Sequence, residues 1–220
     1  KYQFKYTRGD NGGYTSVYDA LMHRTDYFYT KEQRLSQIVK YAARKQPYSK
    51  EGLYWGDQGS DEEIFLKSRT FGEEGNPSLH FCKLFHYDKR GNVLKEELFG
   101  NFTGTNSTPL KVDQKGNPVN RQVEYLTREY KYSKDGFNLV LEETCNGIKK
   151  QYNYVSGTNL LASCFHKNHH QTYLRHFYTH DASGQVIEHI EDDGITDDKN
   201  TLSGVTERKI QRIKRINHYP

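Results

Sequence analysis

The chain has 220 residues, of which 34% are hydrophobic, with a formal net charge of +4 and a mean hydropathy of −0.99. A net charge that small, beside 28 acids, argues against a dedicated nucleic-acid binder. No apolar run approaches a membrane span, and a charged fraction of 27% with only five prolines excludes low-complexity sequence.

Taken in chain order, one short phrase recurs. Two aromatics, or an aromatic and a His, stand at i and i+2. A polar residue, a turn and an aliphatic residue follow. Strand side chains alternate between faces, so the two aromatics share one face, and the phrase predicts a β-hairpin.

The first copy is Tyr27-Phe28-Tyr29, leading through Gln33-Arg34 to Leu35, in a unit near 13–40. The stretch 45–78 fits the template poorly; with six glycines or prolines, from Gly52 to Pro77, it is expected to be an elaborated loop. The second copy, near 80–100, is Phe85-His86-Tyr87-Asp88, turning through Gly91-Asn92 to Val93. A second insertion is expected over 102–121. The third copy, near 125–145, is Tyr130-Lys131-Tyr132, turning through Asp135-Gly136 to Leu139. The fourth, near 150–165, is Tyr152-Asn153-Tyr154, turning at Gly157 to Leu160. The fifth, near 173–191, is Tyr178-Thr179-His180-Asp181, turning at Gly184 to Val186. A third insertion is expected over 192–204. The basic segment Arg208–Ile216 reads as a charged strand or linker entering the next unit, with phosphate binding the lesser alternative.

Five copies on one template predict an all-β fold of repeated antiparallel hairpins, one repeat region over 1–220. The second ring positions fall at 29, 87, 132, 154 and 180, which suggests a unit of twenty-odd residues and leaves room for extra units in the longer gaps. Eighteen Tyr and eleven Phe supply much of the apolar area, which suits a thin curved sheet. The residues carrying the fold are then the ring positions named above and the turn residues Asp88, Gly91, Gly136, Gly157, Asp181 and Gly184.

The series resembles the YD-repeat, or Rhs (rearrangement hot spot), family from about Tyr14 to about Glu191. The segment Gly13–Tyr29 is the closest match, with a Gly-aromatic turn, an Asp-Ala-Leu segment and paired aromatics. Met22 stands where the family has Gly, and Thr30 and Gln33 stand where it has Asp and Gly. The resemblance implies a fragment of a larger bacterial protein, secreted or at the cell surface. It also implies strands that spiral into a shell and enclose a C-terminal toxin or effector polypeptide. The partners implied are the remaining repeats of the same parent chain and the enclosed polypeptide. Family members also occur as adhesion proteins, so a module binding carbohydrate or protein is the alternative. The start at Lys1 fits a piece of a longer chain, as does the need of a repeat end for a neighbour.

No enzyme, cofactor or metal is assigned. Cys82, Cys145 and Cys164 form no CxxC and read as small strand residues. His166, His169, His170, His176, His180 and His189 are dense enough to raise zinc, but 165–170 reads as a hairpin turn whose imidazoles splay. The acidic run Glu191-Asp192-Asp193-Gly194 lacks the order of a calcium loop and reads as a solvated turn. No nucleophile elbow, zinc-protease helix or phosphate loop is present.

Overall fold

The computed structural model describes residues 2–42, 46–73, 78–105, 108–120, 122–169 and 171–213. Among them are fifteen β-strands and no helix, so the chain is all-β. It divides into two compact units, Lys1–Leu126 and Thr127–Pro220.

The first unit is an antiparallel meander of β1 (Gln3–Gly9), β2 (Gly12–Tyr18), β3 (Arg24–Tyr29), β4 (Leu35–Ala42), β5 (Gln46–Trp55), β6 (Leu66–Gly72), β7 (Leu79–Tyr87) and β8 (Val93–Gly100), each paired with the next. The division falls within β9 (Glu124–Tyr132). In the second unit β9 pairs with β10 (Val140–Cys145) from Arg128 on. The meander continues through β11 (Ile148–Tyr154), β12 (Leu161–Asn168), β13 (Gln171–His180), β14 (Val186–Asp192) and β15 (Arg208–Arg212).

One five-residue turn recurs, at 19–23, 30–34, 88–92, 113–117 and 181–185. In each, the first N–H donates to the fifth carbonyl and the fourth N–H to the first carbonyl. The first side chain is Asp in four of the five, and its Oδ1 accepts the N–H groups two and four residues on. Thr30 does the weaker version, accepting the Arg34 N–H at 3.3 Å. The fourth residue is left-handed every time: Met22 at φ 67°, Gln33 at 63°, Gly91 at 87°, Gly116 at 79° and Gly184 at 79°. Met22 and Gln33 therefore hold a glycine conformation with a side chain attached.

Six hairpins carry the same β-bulge, three of them across this turn. Tyr29 pairs Leu35, Trp55 pairs Leu66, Tyr87 pairs Val93, Tyr132 pairs Val140, Tyr154 pairs Leu161 and His180 pairs Val186. In all six the next residue of the return strand (Ser36, Lys67, Leu94, Leu141, Ala162 or Ile187) is skipped by the ladder. A bulge at a fixed place is a designed feature of a sheet.

Several expectations are corrected here. The stretch 45–78 is not an elaborated loop: β5 and β6 run through it, and Trp55 occupies the sixth ring position. Its ten-residue connection from Gly56 to Phe65 hid the copy; Gly75 and Pro77 lie outside the described residues. The 58-residue gap is thus two units, of 26 and 32 residues (29 to 55 to 87). In the 133–139 turn, Asn138 takes the left-handed conformation at φ 56° and Gly136 does not, because the loop is two residues longer than its relatives. Residues 165–168 are strand, and the turn begins at His169, with His170 outside the described residues.

The first unit's core is Cys82, Leu84, Phe99, Leu110 and Val123. The described residues of 101–123, which hold no named strand, fold onto one face of β6–β8. There the Gly116 carbonyl accepts from Ser68 Oγ at 2.7 Å and Cys82 Sγ at 3.3 Å. A Cβ on Gly116 would lie 2.4 Å from the Tyr54 ring, so this approach needs glycine for space as well as for φ. The second unit's core is Phe165, Phe177 and Ile190, with the two rings edge-to-face at 5.7 Å.

Candidate functional site

The element shared by the hairpins is the joint between one hairpin and the next. The Trp55 indole N–H donates to the Leu35 carbonyl at 2.7 Å. The Tyr87 hydroxyl donates to the Leu66 carbonyl at 2.7 Å, and the Tyr154 hydroxyl to the Val140 carbonyl at 2.9 Å. The donor is always the last residue of its strand, and the acceptor is always the first residue of the preceding strand. That acceptor also adjoins the bulged residue of the earlier hairpin. A bulge disrupts the local ladder, and the ring donor meets a carbonyl there. Each aromatic therefore does two jobs: it buries a ring, and it ties its hairpin to the one before.

The expected ring pairs are partly seen as contacts. Phe85 and Tyr87 stack at 6.4 Å between centroids, and Tyr130 lies 6.3 Å from Tyr132, as residues two apart on one strand face should. Phe65, in the β5–β6 connection, stacks on Tyr87 at 4.8 Å. Tyr152 donates to Glu143 Oε2 at 3.2 Å. Tyr27 and Tyr29 are half-buried, on β3. Burial, then the Glu96 charge, raises the Tyr87 phenol above its usual value; burial, then Cys164, does the same for Tyr154. Both hydroxyls stay protonated as donors at neutral pH. At the last ring position His180 makes no such bond, since its buried Nδ1 has no hydrogen-bond partner.

Three of the six clustered histidines come together on one face of β12–β14. The register sets His176 opposite Glu191 and Tyr178 opposite His189. His176 Nδ1 is 3.2 Å from His189 Nε2 and 3.7 Å from Glu191 Oε2. His189 lies flat on the Tyr178 ring at 4.8 Å, and the His166 ring is 5.4 Å from that of His176. Burial, then Lys150, holds His166 below its usual value; for His176 burial and the His189 and Lys150 charges outweigh Glu191. Both are neutral at pH 7. His169 is exposed in its turn, away from this group.

The acidic run is not a solvated turn. Asp192 is buried and accepts from Arg175 Nε at 2.6 Å. The same guanidinium donates to the Thr196 carbonyl at 2.6 Å, the Asp198 carbonyl at 3.0 Å and the Thr201 carbonyl at 3.3 Å. An arginine fork thereby organises residues 192–204, and a Cβ on Gly194 would meet it at 2.2 Å. Asp193 caps Thr206 and Glu207, whose hydrogen bonds hold its carboxyl at about 2. Of the basic segment, Arg208–Arg212 is a strand on β14 and 214–216 lie outside the described residues.

All three cysteines are free thiols on strands. Burial pushes Cys82 up to about 11 and Cys164 above its usual value, which makes both poor nucleophiles. Among the described residues no helix is long and apolar enough to cross a membrane. No protein-family model matches the chain, and no curated protein matches it in sequence.

Proposed function

We propose that the chain is a structural repeat segment of a YD-repeat, or Rhs-type, protein, and that its hairpins form part of a β-shell around a C-terminal toxin or effector polypeptide. The observation that carries this reading is the repeated joint. A turn, a bulge and a ring-to-carbonyl hydrogen bond recur at the same place in successive hairpins, although the turns range from five residues to ten. Units that bond only to their sequence neighbours are what an extendable wall requires. Such a wall acts by enclosure, so its working residues are the ones that hold hairpin to hairpin.

The test is to purify the parent protein through this segment without denaturant and digest it with protease. A chain far larger than 25.8 kDa that keeps a shielded C-terminal fragment supports enclosure. A free-standing chain of about this size, with no shielded cargo, overturns it and leaves a surface binding module as the better account.

A further inference from the structure

We propose that His176, His189 and Glu191 form a binding site for a divalent transition metal, with Zn²⁺ as the reference ion, bridging β13 and β14 on the face opposite the Phe165–Phe177–Ile190 core.

The argument begins with spacing. Two nitrogens bound at about 2.0–2.1 Å to a tetrahedral zinc lie about 3.3 Å apart. His176 Nδ1 and His189 Nε2 are 3.2 Å apart, which fits a shared ion without backbone movement. The third donor, Glu191 Oε2, is 3.7 Å from His176 Nδ1, and all three ligand atoms lie within 4.8 Å of one another. Rotation of the carboxylate closes the remaining distance.

The donors are held by the sheet and do not depend on a loop. His176 and Glu191 are directly cross-strand, and His189 is two residues from Glu191 on the same face. The parallel stack on Tyr178, 3° between planes, fixes the plane of the His189 ring. As ligands, both rings offer a lone pair at the facing nitrogens, so their protons sit on His176 Nε2 and His189 Nδ1. Without metal, the same 3.2 Å contact is an N–H···N hydrogen bond, and binding needs only a tautomer shift in one ring.

Two imidazoles and one carboxylate are a zinc donor set that leaves a fourth position for water or a partner group. Its surroundings set the charge balance. Lys209 Nζ is 3.5 Å from Glu191 Oε1, the oxygen that faces away, and Lys150 and Glu143 act on the same face through His166. The site is half-buried, which leaves an ion a way in. Sequence alone does not pair the two histidines, because 13 residues separate them and only the β13–β14 register brings them together.

The experiment is a Zn²⁺ titration of the 220-residue chain by calorimetry after chelator treatment, with Co²⁺ absorption as an independent readout of ligand geometry. The result expected is one saturable site with a tetrahedral-type Co²⁺ spectrum. Loss of even an outer-shell partner typically costs about 10–100-fold in metal affinity, so His176→Gln or His189→Phe should weaken binding by at least about a hundredfold. The phenyl ring of His189→Phe keeps the stack on Tyr178 while removing the ligand nitrogen. His169→Asn, in the exposed turn, should leave affinity unchanged. The proposal is overturned if the unsubstituted chain shows no saturable Zn²⁺ or Co²⁺ binding, a result independent of any variant's folding. It is equally overturned if His169→Asn weakens binding as much as His176→Gln does.

Discussion

The Tyr154 hydroxyl reaches back one strand and donates to the Val140 carbonyl at 2.9 Å. Trp55 and Tyr87 do the same to Leu35 and Leu66, so this bond recurs between hairpins. Tyr154→Phe keeps the ring and removes the bond. A hydrogen bond of this kind contributes about 0.5–1.5 kcal/mol net, and the abandoned carbonyl adds a desolvation cost. Tyr154→Phe and Tyr87→Phe should each lower unfolding stability by about 1 kcal/mol in urea denaturation, nearly additively because they lie in different units. Unchanged midpoints for both would show that the rings act by packing alone.

The template was legible in the sequence because it rests on local chemistry. Paired rings two residues apart read as a strand face, and Phe85 and Tyr87 stack on one; Asp88, Gly91, Asp181 and Gly184 read as turn residues and lie in five-residue turns. Trp55 was missed because its connection to Leu66 is long, so the ring and the return strand are not close in sequence. Gly136 lies in its turn, but the longer loop puts the left-handed position at Asn138. The Arg175 clamp and the His176–His189 contact were hidden for another reason: both are cross-strand relationships fixed by register, which composition and periodicity do not encode.

His180 marks a joint that lacks its bond. It occupies the ring position at the bulge opposite Val186, yet its buried Nδ1 has no partner. By analogy with Tyr154 and Val140, the acceptor in reach of a longer ring is the Leu161 carbonyl, the first of β12. His180→Tyr should therefore raise stability by about 0.5–1.5 kcal/mol in thermal or urea unfolding. A loss of stability would mean that the bulge geometry here differs from the other joints.

Met22 and Gln33 are the non-glycine residues in the left-handed position of the five-residue turn, at φ 67° and 63°. A side chain there costs about 1–2 kcal/mol relative to glycine, partly offset by the greater freedom glycine has when unfolded. Met22→Gly and Gln33→Gly should each stabilise the first unit by about 0.5–1 kcal/mol. Gly184→Ala should do the reverse by a similar amount. Melting temperatures check this, and a drop for both glycine variants would sink it.

Asp26 gives the first unit a defined acid limit. It is buried and accepts from Ser16 Oγ at 2.7 Å and from Arg24 Nε at 2.7 Å. Burial opposes its ionisation, but hydrogen bonds from Arg24, Ser16 and Tyr41 outweigh that and hold its carboxyl below the ordinary 3.8. The folded value is therefore the lower one. Its contribution is complete above about pH 3.8 and is lost as pH falls through the folded value. Asp26→Asn should cost about 1–3 kcal/mol at pH 7, and the gap between variant and parent should shrink below pH 4. A gap constant down to pH 2 would show that the charge contributes nothing.

Arg175 ties the 192–204 loop to the second unit. Its side chain is fully buried, with Asp192 at 2.6 Å and three loop carbonyls within 3.3 Å. Arg175→Met leaves the buried Asp192 carboxylate only the Arg208 guanidinium, 3.9 Å away, and breaking a buried pair from one side costs about 3–5 kcal/mol. The same change frees residues 192–204, so limited proteolysis should cut there in the variant and not in the parent. Replacing both partners, as Arg175→Met with Asp192→Leu, removes the stranded charge and should recover much of the stability. It should not restore protease resistance, because the loop carbonyls still lack their donor. Recovery of both would assign the loop's order to packing and not to the guanidinium.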